Sequence, residues 1–508
     1  MILLRQTDGN TPEQLMEYDC PAGCTVVTLP PLTGINNRLF CRFMVEGREM
    51  RAEQPWLDAA WVCDWPPERR PQIAVIICTR DRQRQLQTLL DECRTQIDAV
   101  EFCIVINQGN ARIESHLNPA DFGGKLLIVE QDNQGGAGGF TRGIMEAMDL
   151  PSITHVLLMD DDVQIGPGLF QRIRAALSYL PSRICVGGTM VDIEHRNRVV
   201  SLGHGFDPEH AMTTDRVRRE GSSLNDLDTR THLDQASEVA FCGWWCFCFP
   251  LTAVTACGLP LPLFFRGDDA EYGLRLGRGG FKTVMWPGIS VAHPLIRNRT
   301  RPWHQFYDRR NALICTCLQI GRIPPRAIFR LVRGIVNALV LYRYAEARAH
   351  ILAIEAYLDG ANGLASWNEE RHTRLVADDE QPCIAPLGPR TTLDLHKSPL
   401  MRTAVTLTHL IGDVLRPASP AATAAIAIDI SSWKTGVRHR PLAVLAIENN
   451  LAERLMCDPR QARSALTHLL RAVGRLTIVQ TPCASAMMRL GTVEWWQKRL
   501  KKPNHLQS

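Results

Sequence analysis

The chain has 508 residues, 45% of them apolar and 22% charged, with a formal net charge of +4. That length exceeds one ordinary core, so about two to four domains are expected. The composition is that of a globular protein, and so small a net charge excludes a partner held by bulk electrostatics, so no nucleic-acid binding is expected.

Residues 1–68 read as a small β domain. Cys24–Leu29 and Arg38–Val45 have strand character, with a turn at Pro30–Gly34 between them. This part carries no catalytic constellation, and Trp65–Pro71 has the composition of a linker. The N-terminus has neither a basic region nor a long apolar segment, so no signal peptide is expected. The seventeen cysteines are scattered, and many (Cys78, Cys103, Cys185, Cys315, Cys317) sit inside apolar runs. They are expected to be reduced core thiols of a cytoplasmic protein. Neither the Cys20/Cys24 pair nor Cys242, Cys246 and Cys248 has the paired spacing of a zinc ribbon.

At Ile73 the pattern changes. Ile73–Cys78 is an apolar strand, Thr79–Arg82 a polar turn, and Gln85–Cys93 has helical spacing. Further strands are expected at Phe102–Ile106, ending in Asn107-Gln108, and at Lys125–Val129, leading to Asn133. The segment Gly135-Gly136-Ala137-Gly138-Gly139 then precedes a helix expected from Thr141 to Met148. Those glycines suit either backbone approach to an anion or a tight turn. The next strand, Val156–Met159, runs straight into Asp160-Asp161-Asp162. Three adjacent carboxylates repel one another unless a cation or solvent compensates, although an acidic loop or helix cap has the same pattern. Strands alternating with helices, each ending in polar residues, predict a parallel sheet with its site along the C-terminal edge.

His195–Gln235 is long and polar and reads as a lid or binding loop. Val239–Pro250 reads as an aromatic strand that would present Trp244 or Trp245 to a pocket, or bury both. Asp268-Asp269-Ala270-Glu271 opens a helix, where acidic residues also serve as ordinary caps. His293 closes a strand before Pro294. Beyond Thr300 the pattern is mainly helical, and no segment reaches membrane-spanning length. The tail Glu494–Lys502 is amphipathic and basic, fitting either an interfacial membrane contact or a solvated helix end.

The ordered set Asn133-x-Gly-Gly-x-Gly-Gly-Phe140, Asp160-Asp161-Asp162, Trp244-Trp245, Asp268-Asp269-Ala270-Glu271-Tyr272-Gly273 and His293 resembles GT-A glycosyltransferases. Within them it resembles the bacterial galactofuranosyltransferases that build galactan. The resemblance implies a GT-A mixed-sheet core of the α/β class at 69–300, a small β-sandwich at 1–68 and a mostly helical region at 301–508. It implies inverting, metal-dependent transfer of galactofuranose from UDP-galactofuranose to a polyprenyl-diphosphate-linked or other cell-surface glycan, on the inner face of the cell membrane. Asp160, Asp162 and His293 would hold Mn2+ or Mg2+. Arg82, Gln108, Asn133 and Asp160 would contact the nucleotide, with Arg80 a competing choice for Arg82. Asp269 would be the general base, Asp268 and Glu271 would orient the acceptor or support the base, and Trp244 and Trp245 would stack on the acceptor sugar. Alternation along an extended chain sets Asp161 apart from its neighbours, in a structural role. Alternatives are another donor such as UDP-galactose or dTDP-rhamnose, a nucleotidyltransferase on a similar sheet, or a non-catalytic glycan-binding relative. A homo-oligomer is left open.

Overall fold

The computed structural model describes residues 66–113, 119–215, 235–295, 301–377, 451–478 and 482–500, with shorter pieces within 2–49, 222–233, 410–412 and 426–448. The expected strand at 24–29, the Cys20/Cys24 pair and the polar stretch at 378–399 lie outside the described residues. The chain divides into two compact units, Met1–Glu68 and Arg69–Ser508. The first contains strands β1 (Ile2–Thr7), β2 (Glu13–Glu17) and β3 (Asn37–Arg42) in an antiparallel sheet ordered β2-β1-β3. A short ribbon of β4 (Met44–Val45) and β5 (Arg48–Glu49) completes its described strands. These strands do not by themselves establish a sandwich.

The second unit is organised by one mixed sheet. In its first half, β6 (Ile73–Thr79), β7 (Phe102–Asn107), β8 (Leu126–Glu130) and β9 (His155–Asp160) are parallel, in the order β8-β7-β6-β9. β6 and β7 are buried almost throughout, as strands covered on both faces must be, and this is why they read as unbroken apolar runs. Helix α1 (Gln83–Arg94) buries Leu86, Leu89, Leu90 and Cys93, a single stripe at helical spacing. Because β7 and β8 lie on one side of β6 and β9 on the other, the strand order reverses between β6 and β9. A crevice opens at their C-terminal ends, the usual ligand position in such sheets.

Helix α2 (Gly135–Met148) begins six residues before the expected start at Thr141, so the glycines lie within it. Close packing explains this better than turn chemistry does. A Cβ at Gly139 would lie 2.1 Å from Cys78 Sγ, and one at Gly143 2.2 Å from Ile76 Cγ2. Larger residues would hold the helix off β6. Gly135 has a left-handed φ of +71°, and a Cβ there would fall 1.9 Å from the Phe264 carbonyl oxygen.

The second half of the unit adds β10 (Gln164–Ile165), helix α3 (Leu169–Tyr179), β11 (Ile184–Asp192), β12 (Arg198–Ser201), β15 (Ser222–Ser223), β16 (Ser237–Val239) and β17 (Phe247–Pro250), with β13 (His204–Asp207) and β14 (Met212–Asp215) forming a separate two-stranded sheet. After helices α4 (Thr252–Cys257) and α5 (Asp268–Arg278), β18 (Lys282–His293) completes the mixed sheet. β17 runs antiparallel between β9 and β11, and β11 and β18 are parallel. The polar segment 195–235 is therefore not one long loop, since it supplies a β13–β14 hairpin and two short strands. The aromatic run 239–250 is likewise two strand pieces separated by a turn that holds Trp244 and Trp245.

The C-terminal part is helical: α6 (Pro302–Ile320), α7 (Pro325–Val340), α8 (Tyr344–Leu358), α9 (Gly360–Ala365), α10 (Glu369–Ala377), α11 (Pro459–Ile478), α12 (Ala484–Met488) and α13 (Val493–Leu500), with a small sheet of β19 (Ile426–Asp429), β20 (Ala443–Glu448) and β21 (Leu451–Met456). No helix among the described residues is long and apolar enough to cross a membrane. The tail helix α13 is neither free nor fully solvated. Trp496 is 1% exposed, its N–H donates to the Pro260 carbonyl, and its ring faces Gly138 of α2. This docking takes up the tryptophan face that an interfacial anchor would need.

Candidate active site

The fold joins residues distant in sequence at the C-terminal ends of β6, β9 and β18. Asp160 ends β9 and lies level with Cys78 of β6. After a turn at Asp161 and Asp162, β10 pairs antiparallel with β18, Gln164 opposite Ala292. That register brings His293 beside the aspartates. His293 Nε2 lies 3.2 Å from Asp162 Oδ1 and 3.6 Å from Asp160 Oδ2. One ligand atom from each of the three residues can lie within 4.8 Å of the others. Burial would lower the imidazole pKa, but hydrogen bonds and charge from Asp160 and Asp162 outweigh it and raise His293 to about 10. Burial would also raise Asp162, yet His293 and Arg82 hold it below the usual carboxylate range.

Asp161 faces away from this group. It is 5% exposed and accepts a 2.6 Å hydrogen bond from the Thr79 hydroxyl. Burial pushes its carboxyl up to about 6, against the hydroxyl and Arg82. Arg82 bridges Asp161, at 3.3 Å, and Asp162. Arg80 instead meets Glu369 at 2.7 Å. The same Glu369 oxygen accepts from Asn133 Nδ2 at 3.2 Å, so the start of α10 reaches the rim of the crevice. Asn133 Oδ1 accepts from the Gly135 N–H at 2.9 Å. Gln108 is buried and committed to the protein: its amide donates to the Gly135 carbonyl, and its oxygen accepts from the Gln134 N–H and the Gln131 amide. Gln108 and Asn133 thus shape the α2 N-terminus.

The second carboxylate pair enters from an unusual loop. Phe264 (φ +71°) and Arg266 (φ +57°) are left-handed non-glycine residues, and Gly267 (φ +74°) precedes the helix. Such conformations cost about 1 kcal/mol or more each and persist only where surroundings impose them. Here the Asn311 amide donates to the Phe265 and Arg266 carbonyls, and Arg266 pairs with Asp308 at 2.6 Å. Asp268 then lies beside Gly136, where a Cβ would come within 3.3 Å of its Oδ2. Burial, and next the charge of Asp269, push Asp268 up to about 8. Burial raises Asp269 as well, with His204 opposing. Both carboxylates also feel Asp160, which places the two acidic groups within electrostatic range.

Glu271 is elsewhere. It is buried in a two-bond ion pair with Arg275, at 2.7 and 2.8 Å, and accepts from the Leu261 N–H. Arg275 also donates to the Cys257 and Leu259 carbonyls. The pair therefore holds the 257–261 segment and presents no group to an acceptor. Trp244 is 5% exposed, closed in by Phe140 and Tyr272. Trp245 is half-buried, donates to the Gly188 carbonyl and stands edge-on to His204. His204 and Glu369 were not singled out from the sequence. Each reaches the site only through long-range packing, and no local spacing marks them. The described cysteines are free, and Cys242, Cys246 and Cys248 are buried.

Residues 71–315 match the family model described as glycosyltransferase like family 2. The galactofuranosyltransferase GlfT2 of Mycolicibacterium smegmatis is 29% identical over 325 residues, 61% of this chain and 50% of that protein. GlfT2 of Mycobacterium tuberculosis is 27% identical over 368 residues, 68% of this chain and 58% of that protein. The chain thus spans between half and three-fifths of the length of these relatives. A solved structure of GalNAc-T7 with UDP, GalNAc and Mn2+ overlays 53% of this chain and 51% of its own at a TM-score of 0.39 and 12% identity, a distant likeness from which nothing about the site follows. The matched segment covers the whole mixed sheet and both acidic groups, so over residues 71–315 the chain is similar to the family 2-like glycosyltransferases, with a GT-A-type core, and it is galactofuranosyltransferase-like.

Proposed function

We propose that this protein is an inverting, divalent-metal-dependent glycosyltransferase that moves galactofuranose from UDP-galactofuranose to a lipid-linked or other cell-surface glycan. The observation that carries the reading is the convergence of Asp160, Asp162 and His293 at the sheet's switch point, with the buried Asp268 and the half-buried Asp269 in electrostatic range. Two carboxylates and one imidazole suit a divalent cation, and the mixed oxygen and nitrogen donors favour Mn2+ over Mg2+. When bound, that cation would neutralise the diphosphate of the leaving nucleotide.

The remaining roles fall to the chain. Asp269 takes the proton from the acceptor hydroxyl at a carboxylate oxygen, and its raised pKa makes it a stronger base than an exposed aspartate. One base, placed opposite the leaving group, gives inversion at the anomeric carbon. Arg82 and Asn133 meet the nucleotide at the rim, and Arg80 is within reach of the same region. Trp245, more open than Trp244, stacks on the acceptor sugar.

The test is incubation with UDP-galactofuranose, Mn2+ and a galactofuranosyl acceptor, following UDP release. A panel of other nucleotide sugars runs alongside, and products are identified by mass spectrometry and NMR. Asp269→Asn should lose roughly 10²- to 10⁴-fold in turnover while still binding UDP. Full activity in that variant would remove Asp269 as the base, and turnover of only a different nucleotide sugar would overturn the donor assignment.

A further inference from the structure

The β13–β14 ribbon reaches the active site at one end and the helical region at the other. Its strands pair His204 with Asp215 and Asp207 with Met212. At the base, the His204 N–H donates to the Phe241 carbonyl at 2.9 Å, and the His204 carbonyl accepts from the Ala240 N–H at 3.0 Å. The His204 side chain is 17% exposed. Its Nδ1 lies 2.7 Å from Asp215 Oδ1 and its Nε2 3.1 Å from Ser201 Oγ. The ring stacks on Phe241 at 5.1 Å and meets Trp245 edge-on at 5.7 Å. Alternation puts Phe206 on the same face of β13, where it packs against the cluster of Phe241, Ala270 and Cys315. Ala270 directly follows Asp269, and at Gly273 helix α5 runs so close to Phe241 that a Cβ would fall 2.4 Å from the Phe241 Cβ. His204 and Phe206 therefore back both Trp245 and the first turn of α5. At the tip, Asp207 accepts from the N–H groups of Glu209 and His210, at 2.9 and 3.3 Å, and pairs with His210 Nδ1 at 2.7 Å. Ala211 is left-handed (φ +49°) and buried. Arg330 of α7 donates to the Ala211 carbonyl at 3.1 Å and to the His210 carbonyl at 3.4 Å. Burial, with Arg309 and Arg333 nearby, lowers the Arg330 pKa to about 10, and Asp207 opposes this. Its like-charged neighbours do not draw Arg330 in; the tip carbonyls and Asp207 do.

We infer that Arg330 is a positioning residue for the transfer reaction, acting through the β13–β14 ribbon and His204 on the acceptor side of the site. A two-stranded ribbon is marginal by itself and keeps one geometry only when both ends are pinned. Arg330 pins the tip, while His204, through Asp215 and Phe241, pins the base. Releasing the tip from α7 lets His204 and Phe206 shift, and Trp245 and the start of α5 then lose support on that side. A misplacement of about 1 Å costs turnover heavily even when the altered residue lies far from the chemistry. Arg82, Gln108 and Asn133 stand on other elements, so nucleotide binding is left as it is. The inference rests on the proposed transfer reaction, from which Trp245 and Asp269 take their roles.

The experiment measures acceptor kinetics of the full chain with Mn2+, a galactofuranosyl acceptor and the nucleotide sugar that the parent turns over, together with UDP affinity by calorimetry. His204→Gln should lower acceptor kcat/KM roughly ten-fold and Arg330→Gln roughly five-fold, with UDP affinity unchanged. The double variant should lose no more than His204→Gln alone, about ten-fold, whereas independent residues would multiply to about fifty-fold. Arg330→Lys keeps a donor for the tip carbonyls and should retain about half of the parent value. A ribbon in which residues 208–211 are replaced by Asn-Gly keeps a tight two-residue turn but lacks the carbonyls that Arg330 holds. It should reproduce the Arg330→Gln loss, and it decides the matter if Arg330→Gln fails to fold. Absence of turnover by the parent with every nucleotide sugar removes the proposed function and the inference together. An active parent whose Arg330 and ribbon variants keep parental acceptor kinetics, or whose double variant multiplies the losses, overturns the inference alone. So does a loss of UDP affinity as large as the loss in acceptor kcat/KM.

Discussion

Replacing Glu271 separates a structural role from a direct part in acceptor recognition. Its side chain is 1% exposed and that of Arg275 8%, and the two are joined by paired hydrogen bonds of 2.7 and 2.8 Å. Glu271→Ala would leave a guanidinium enclosed by the Cys257 and Leu259 carbonyls with no counter-charge. Breaking a buried pair in this way costs about 3–5 kcal/mol. The loss should appear as a fall in urea midpoint at unchanged slope, and as a drop in Tm of roughly 10 °C. Arg275→Met should show a similar loss by stranding the carboxylate. Combining Glu271→Gln with Arg275→Met should recover much of the stability, because both charges are then gone. Urea unfolding followed by tryptophan fluorescence gives the full cycle, with acceptor KM measured on each variant. If Glu271→Ala unfolded like the parent and only acceptor KM rose, the assignment to the 257–261 brace would be refuted.

Three other outcomes follow from particular contacts. Glu369 holds Arg80 and Asn133, and its side chain is 44% exposed, so Glu369→Ala should change stability by no more than about 1 kcal/mol. UDP should nevertheless bind up to about five-fold tighter, as the rim donors are released and a carboxylate leaves; weaker binding by calorimetry would show that Glu369 helps hold the nucleotide. Gly143→Ala should destabilise by about 1–3 kcal/mol because its methyl would meet Ile76, whereas Gly277→Ala, exposed on α5 with nothing within 4 Å, should gain up to about 1 kcal/mol; denaturant titration distinguishes them. Asp268 has a native pKa raised to about 8 from an ordinary 3.8, so the folded state binds more protons than the unfolded state between those values. Its ionisation therefore costs stability as pH rises through that window. Asp268→Asn should be more stable than the parent at pH 8, with the gap closing towards pH 4, as thermal melts across pH would show.

Much of the core was legible from local pattern alone. β6, β7 and β9 are apolar runs because both their faces are covered, and α1 shows its buried stripe directly. The division of the aspartates agrees with the sequence expectation but for another reason: β9 ends at Asp160, and the turn that follows, not strand alternation, points Asp161 to Thr79 and leaves Asp160 and Asp162 together. The glycine cluster was visible, but its reason was not. Whether glycines form a turn or let a helix approach a strand depends on Cys78 and Ile76, which are distant in sequence.

By itself, then, the sequence determined the apolar strands β6 to β9, the acidic clusters and the family pattern, all of which depend on short-range periodicity and residue chemistry. The tertiary structure alone decided which groups meet. Antiparallel pairing of β10 with β18 brings His293 to the aspartates, and docking of α10 brings Glu369 to Arg80 and Asn133. Burial decided the rest, turning Glu271 into a brace, closing Trp244 into the core and fastening Trp496 beneath the glycine helix. Burial and electrostatic coupling depend on what every distant segment places around a side chain, and no local spacing encodes that.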